Sequence, residues 1–233
     1  MSIMDFKTPA LYKPLIIGVM AMVFQQFCGI NAVIGYCAEI FESASVHNSS
    51  LVSIITSVVQ IVFTMIACLI VDKLGRRVLL MVGGFFMFVV MFILGVYYDI
   101  TIFDSHNPGQ MDIFHHRTIP VSKISWLAIT CVMIFIVMFS LGWGPIPWML
   151  MGELFPPKAR DVAGAVCNVA NWLSAFLIMK FFPQMKEGLK AQGVFWFYAG
   201  FSLLSFLFTL FFVPETKGKT LEEIEEHFNR KKR

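Results

Sequence analysis

Charge is what this sequence has least of. Its 233 residues include 33 that are charged, 18 basic and 15 acidic, and none of these falls in six windows: 15–38, 51–71, 78–98, 124–152, 162–179 and 191–213. Apolar side chains make up 58% of the chain. Uncharged stretches of that length exclude an ordinary soluble domain. Ten-residue segments of alternating polarity are also missing, which excludes a membrane-spanning β-barrel. Cysteine is sparse: Cys28, Cys37, Cys68, Cys131 and Cys167 all lie inside the windows, none in CxxC or another metal-ligand spacing. They read as small buried thiols, so no metal centre, cofactor site or disulfide framework is expected. The windows hold no carboxylate, no nucleophile–base pair and no ring of charge. That leaves an intramembrane enzyme without its chemistry and a channel without its selectivity ring.

What is present fits a bilayer. A helix needs roughly 20 apolar residues to cross the hydrocarbon core. Five windows meet that length, and the short one, 162–179, can be extended by a snorkelling Lys180 with Phe181 and Phe182. The expected fold is an all-α membrane protein of six transmembrane helices. With the first residues in the cytoplasm, the inner segments 1–14, 72–77, 153–161 and 214–233 hold thirteen Lys and Arg, and the outer ones hold five. That bias puts both termini and the tail 214–233 inside. It also accounts for the net charge of +3, so no nucleic acid partner is called for. No cleavable signal sequence is visible.

The turn "VDKLGRRV" is so short that the second and third spans must be antiparallel neighbours. The outer stretch "DITIFDSHNPGQMDIFHHRTIPVSK" is long and polar, and divides the chain into two sets of three spans. Three is odd, so the second set crosses in the opposite sense, the layout of an inverted 3+3 repeat in a secondary carrier. His106, His115 and His116 in that stretch read as solvated side chains rather than a metal or pH-sensing site.

Polar residues inside the spans carry the functional signal. "FQQFCGINAVIGY" sets Gln25, Gln26 and Asn31 at mid-membrane depth, with Gln25, Gly29, Ala32 and Tyr36 along one face of a single helix. An unpartnered amide in hydrocarbon costs a few kcal/mol. Either these amides bond neighbouring helices or they border a wet cavity and bind a ligand. Three within seven residues, beside two glycines, favour the ligand site. Gln60 in the second span and Asn171 in the fifth are weaker candidates of the same kind.

The stretch "GWGPIPW", residues 142–148, interrupts the longest uncharged window. Pro145 has no N–H for the carbonyl of Leu141, and Pro147 none for that of Trp143. Gly142 and Gly144 ease unwinding. Broken backbone at that depth is tolerated only where protein or water covers it, so a broken helix lining a cavity is expected. Trp148 would offer it a flat apolar face with an N–H at the edge, which suits a sugar.

Together "QQFCGINAV", "DKLGRR", "GWGPIPW", "GELFPPKAR", "NW" at 171–172 and "PETKGKTLEEIEEHF" resemble the facilitative sugar porters of the major facilitator superfamily, in the branch of glucose and trehalose carriers. The resemblance spans essentially all of residues 1–233, but only the C-terminal half of the family's twelve-helix fold. It implies a hexose substrate, bound through Gln25, Gln26, Asn31, Gln60 and Asn171 with Trp148 completing the pocket. Gly35 and Ser140 depart from residues common in glucose-specific members, which leaves the sugar open. The resemblance also implies that Asp72, Arg76, Arg77, Glu153 and Arg160 belong to a cytoplasmic salt-bridge layer that latches two halves together. By themselves these charges equally suit solvated loops.

In "KTLEEIEEHFNRKKR", Thr220 and Glu223 have capping-box spacing and Leu221, Ile224 and Phe228 share a face, so a short helix docked beneath the bundle is expected, with the basic run near anionic lipid. Asn48 heads a glycosylation sequon too close to the membrane to be used. The function implied is facilitated hexose transport by alternating access, at the plasma membrane or an endosomal or lysosomal membrane. One bundle needs another, so a second half-bundle or another copy of the chain is the expected partner, besides lipid. The alternative is a half-carrier that binds another chain and transports nothing by itself.

Overall fold

The computed structural model describes residues 8–35, 49–106 and 121–229, and every regular element among them is helical. Tyr36, Asn48, His115, His116 and the basic run 230–233 lie outside the described residues.

The first window does not form one helix. Helix α1 (Pro9–Phe27) opens with Pro9 in its first turn, behind an extended Thr8, where a missing N–H is harmless. It stops at Cys28–Gly29, and a short α2 (Ile30–Gly35) follows. Gly29 has φ +92°, a left-handed conformation that no helix interior contains. Its amide donates to the Gln26 carbonyl at 3.0 Å, and its own carbonyl accepts from Val33 at 2.8 Å to start the next turn. The expected single face running from Gln25 through Gly29 and Ala32 is therefore corrected: the break rotates Asn31 and Ala32 away from α1's register. A contact from far along the chain also excludes a side chain at this position, since a β-carbon at Gly29 would stand 2.6 Å from the Tyr198 ring.

Helix α3 (Ser49–Leu74) and α4 (Arg76–His106) are joined by Gly75 alone, at φ +90°. The fourth window is broken, as the prolines require. Helix α5 (Val121–Met138) gives way to a widened π-helical turn, Phe139–Trp143, closed by a 2.7 Å bond from the Gly144 amide to the Phe139 carbonyl. Helix α6 (Ile146–Leu154) then restarts. The break begins three residues before Gly142, and Pro147 falls in the first turn of α6, a position where its missing N–H costs little.

Helix α7 (Pro157–Phe212) covers the last two windows. Lys190, at φ 57° and ψ 174°, divides it into two legs. Ile178 and Phe182 of the first leg pack with Val194 and Tyr198 of the second, whereas residues 20 apart on a straight helix would be ~30 Å apart. The legs therefore fold back on each other. Five helical segments among the described residues are long and apolar enough to cross a membrane, and the longest is this folded pair, which makes six spans. The chain is a multi-pass integral membrane protein.

The main core joins α1, α4, α5, the broken turn and α6 through Phe24, Met87, Met91, Leu94, Phe135, Trp143 and Leu150. Small residues let backbones approach where the turn meets α4: a β-carbon on Gly142 would lie 2.6 Å from the Leu79 carbonyl oxygen. Helix α8 (Leu221–Asn229) has the capping box read from the sequence, with Thr220 N–H donating to Glu223 at 2.9 Å and Glu223 N–H to the Thr220 hydroxyl at 3.3 Å. Ile224 and Phe228 are buried in the main core, and Lys13 Nζ of α1 donates to the Phe228 carbonyl at 2.8 Å.

Gly29→Ala should lower stability by ~1–3 kcal/mol, because left-handed backbone and overpacking both penalise the methyl group. Thermal unfolding of the purified chain in detergent or nanodiscs measures it; Gly164→Ala, where a β-carbon meets open space, is the control.

Candidate functional site

The break in the fourth window leaves peptide carbonyls in need of donors. Trp143's has lost its ordinary partner, because residue 147 is proline. The donor comes from another helix. Gln25 Nε2, near the end of α1, donates to the Trp143 carbonyl at 2.7 Å and to the Gly144 carbonyl at 2.8 Å.

That contact sets the sense of every amide beyond it. Two carbonyl oxygens can face only the nitrogen of the Gln25 amide, so its Oε1 must look the other way. There it accepts from Asn171 Nδ2 at 2.6 Å. Asn171 Oδ1 accepts from Gln26 Nε2 at 3.2 Å, and Gln26 Oε1 accepts from Asn31 Nδ2 at 2.5 Å. Asn31, Gln26, Asn171 and Gln25 thus form one directed relay ending on the broken backbone. Gln25, Gln26 and Asn171 are buried at 3%, 7% and 1% exposure, so the relay has little access to outside donors except at Asn31. Asn171 Nδ2 also lies 3.4 Å from the Met22 carbonyl and sulfur.

Asn31 opens onto a hollow of about 380 Å³, lined also by Ile34, Gly35, Trp172, Ala175, Phe176 and Met179. The hollow is shallow and open, with Trp172 66% and Phe176 56% exposed, so this bundle by itself supplies one wall of a site, an amide set among apolar and aromatic side chains.

The structure brings together four of the six sequence candidates and leaves two apart. Gln60 is half-buried on α3, outside the relay, and its carbonyl accepts from Thr64. Trp148 is 40% exposed and does not line this hollow. The other tryptophan of "GWGPIPW" matters more to the break: Trp143 is fully buried, donates from its indole to the Leu80 carbonyl at 3.0 Å and meets Phe24 edge-on. Sequence reasoning passed over it, although an indole beside two glycines is a signal that a large side chain fills a close helix contact.

Four of the five charged candidates, Asp72, Arg76, Arg77 and Glu153, gather where α3, α4, α6 and the end of α7 with the segment after it meet. Arg76 bonds Glu153 at 2.8 Å and Asp72 at 2.9 Å, so it finds partners within this bundle. Asp72 is 75% exposed and its pair contributes little; Glu153 is 26% exposed and held further by the Thr216 hydroxyl at 2.6 Å. Arg77 donates to the Leu210 carbonyl at 2.6 Å. Arg160 stands apart from this network, its guanidinium on the Phe155 carbonyl. The residue that ties the cluster together was missed. Glu215 accepts from the backbone N–H groups of Arg76 and Arg77 at 3.0 and 3.1 Å, capping α4 where Gly75 offers no side chain. A β-carbon at Gly75 would meet that carboxylate at 2.6 Å.

Comparison with known proteins agrees with this architecture. Residues 3–228 match the family model described as sugar (and other) transporter. The chain belongs to the sugar transporter family. It is 44% identical over 225 residues to the facilitated glucose transporter member 8 of Mus musculus, covering 95% of this chain and 47% of that protein. It is 39% identical to the facilitated trehalose transporter Tret1 of Anopheles gambiae, covering 96% of this chain and 27% of that protein. The structure of the proton:xylose symporter XylE bound to 6-bromo-6-deoxy-D-glucose superposes with a TM-score of 0.73 at 35% identity, over 92% of this chain and 42% of that one. The chain therefore spans about half the length of the glucose-transporter relatives it matches and has the fold of one six-helix half of the major facilitator superfamily.

Asn171→Ala should strand Gln26 Nε2 and Gln25 Oε1 and cost ~1–3 kcal/mol, the penalty of unmet buried polar groups. Denaturant titration in bicelles would show it, with Trp172→Ala next in sequence but 66% exposed as the weak comparison.

Proposed function

We propose that this chain forms the sugar-holding bundle of a facilitative hexose carrier working by alternating access, completed by a second six-helix half or by another copy of itself. The observation that carries the reading is the directed amide relay that opens at Asn31 onto an apolar, aromatic-walled hollow and ends on a broken helix. A pyranose has apolar C–H faces and a rim of hydroxyls, so it matches such walls and one amide pair. Asn31 and Gln26 are the amides closest to the hollow and take the hydroxyls; a hydroxyl donor can replace Asn31 Nδ2 on Gln26 Oε1. Asn171 acts from behind them. Gln60 and Trp148 lie on helices outside the hollow and contact sugar only when the second half closes the pathway.

Alternating access needs an element with two arrangements. The Arg76–Glu153 pair, with Asp72, Arg77 and the Glu215 cap, supplies the charged contacts that a second half would exchange on opening, with both termini of the chain on the cytoplasmic side. The six windows contain no carboxylate, so an acid for proton coupling would have to come from the second half. The membrane of residence is the plasma membrane or an endosomal or lysosomal one.

Uptake of labelled hexose into proteoliposomes holding this polypeptide is the test. Saturable flux is expected, reduced about tenfold or more by Gln26→Ala, the equivalent of losing one good hydrogen bond to the sugar at ~1.4 kcal/mol. Sugar binding without flux would turn the assignment to the half-carrier alternative, and neither binding nor flux would end it. Unchanged sugar affinity in Trp148→Ala would remove that residue's stacking role.

A further inference from the structure

We infer that Trp143 is the fixed point of the broken fourth span: its indole holds the π turn to α4, so that α6 alone swings when Glu153 leaves Arg76. The inference rests on the carrier reading only for what the swing serves, because every contact in it lies within this chain.

The turn sits on α4 at three close contacts. The Trp143 indole donates to the Leu80 carbonyl at 3.0 Å. A β-carbon on Gly142 would lie 2.6 Å from the Leu79 carbonyl oxygen, and one on Gly83 would lie 3.0 Å from the Met138 carbonyl oxygen. Backbone meets backbone here with no side chain between them. The indole adds what close packing lacks, a directional bond that fixes rotation as well as distance. Trp143 is fully buried and meets Phe24 edge-on, so no water competes for that bond.

Stiffness ends just past the indole. Pro145 and Pro147 cannot donate to the carbonyls of Leu141 and Trp143, so two of the bonds that would carry a straight helix onward are missing. Helix α6 (Ile146–Leu154) starts there, and its far end is tied by charge. Arg76 bonds Glu153 at 2.8 Å, and Glu153 is 26% exposed, so solvent or a competing charge can reach that pair. Gly152 beside it has open space where a β-carbon would stand, which leaves that end room to move. Both ties go to α4, at Leu80 and at Arg76 one turn earlier. One is dry and uncharged, and the other can be exchanged. A short rod held in that way turns about the dry tie.

Amide hydrogen–deuterium exchange on the purified chain in nanodiscs, with the indole protons followed by nitrogen-15 NMR, tests this without sugar or a second half. The other four tryptophans are each 40% exposed or more, so the protected indole is that of Trp143. Glu153→Gln removes the charge at the far tie. Exchange over residues 148–154 should accelerate about fivefold or more, while residues 139–144 and the Trp143 indole proton stay within about twofold. Trp143→Phe keeps an aromatic ring and removes the indole N–H. It should accelerate residues 139–144 about fivefold or more and leave residues 87–94 of α4 within about twofold. Faster exchange of 139–144 together with 148–154 in Glu153→Gln would mean that turn and helix move as one body, and would overturn the inference. So would an α6 that ignores Glu153→Gln. Acceleration throughout the chain in Trp143→Phe would mark a merely structural tryptophan and overturn it as well. Should Trp143→Phe fail to fold, the Glu153→Gln comparison decides by itself. A chain that moves no hexose ends the carrier reading yet leaves this measurement decisive.

Discussion

A peptide carbonyl that loses its helical donor deep in an apolar bundle must find another, and the Trp143 oxygen decides how the centre of this protein is built. Pro147 removes the donor and the lipid environment offers no water in its place. The remedy comes from Gln25 on α1, and its nitrogen must point inward because two oxygens face it. From there the order of donors and acceptors in Asn171, Gln26 and Asn31 follows by exclusion. Four amides that might have scattered their bonds among helices are aligned in one direction by a defect in the backbone of another helix.

The same constraint explains why rigid and adjustable parts lie side by side. Trp143 and Gly142 seat the break tightly on α4 through contacts with the Leu80 and Leu79 carbonyls. Asn31 follows Gly29, whose left-handed φ detaches α2 from the helix that carries Gln25 and Gln26. The relay therefore runs from a short, separately oriented piece of helix to a firmly anchored turn. Its inner links are dry and its outer link borders the hollow.

Much of the fold was legible in the sequence because desolvated charge is so costly that Asp72, Glu153, Lys180 and their like had to fall between spans. The break at "GWGPIPW" was legible too, since proline chemistry is local. The break at Gly29 was not. Glycine within an apolar run is compatible with a continuous helix, and the Tyr198 ring that forbids a side chain there lies far along the chain. The π turn's start at Phe139 had no local signal in "FSL". Three of the four relay amides stood out as candidates by their spacing on the first span, yet whether each faces a ligand, a neighbour or a carbonyl depends on α5, α6 and α7 arriving beside it. Glu215 shows the same limit: its motif was visible, but the two N–H groups it caps are more than 130 residues away.

The Lys13 ammonium on the Phe228 carbonyl fastens α8 to α1. Helix α8 follows α7 in sequence, yet with Ile224 and Phe228 buried and this bond in place it packs against α1 and α6. The acidic outer side of α8, with Glu222, Glu223 and Glu225 exposed, is thereby held beside the start of the helix that carries Gln25 and Gln26, so that end of the bundle displays negative charge.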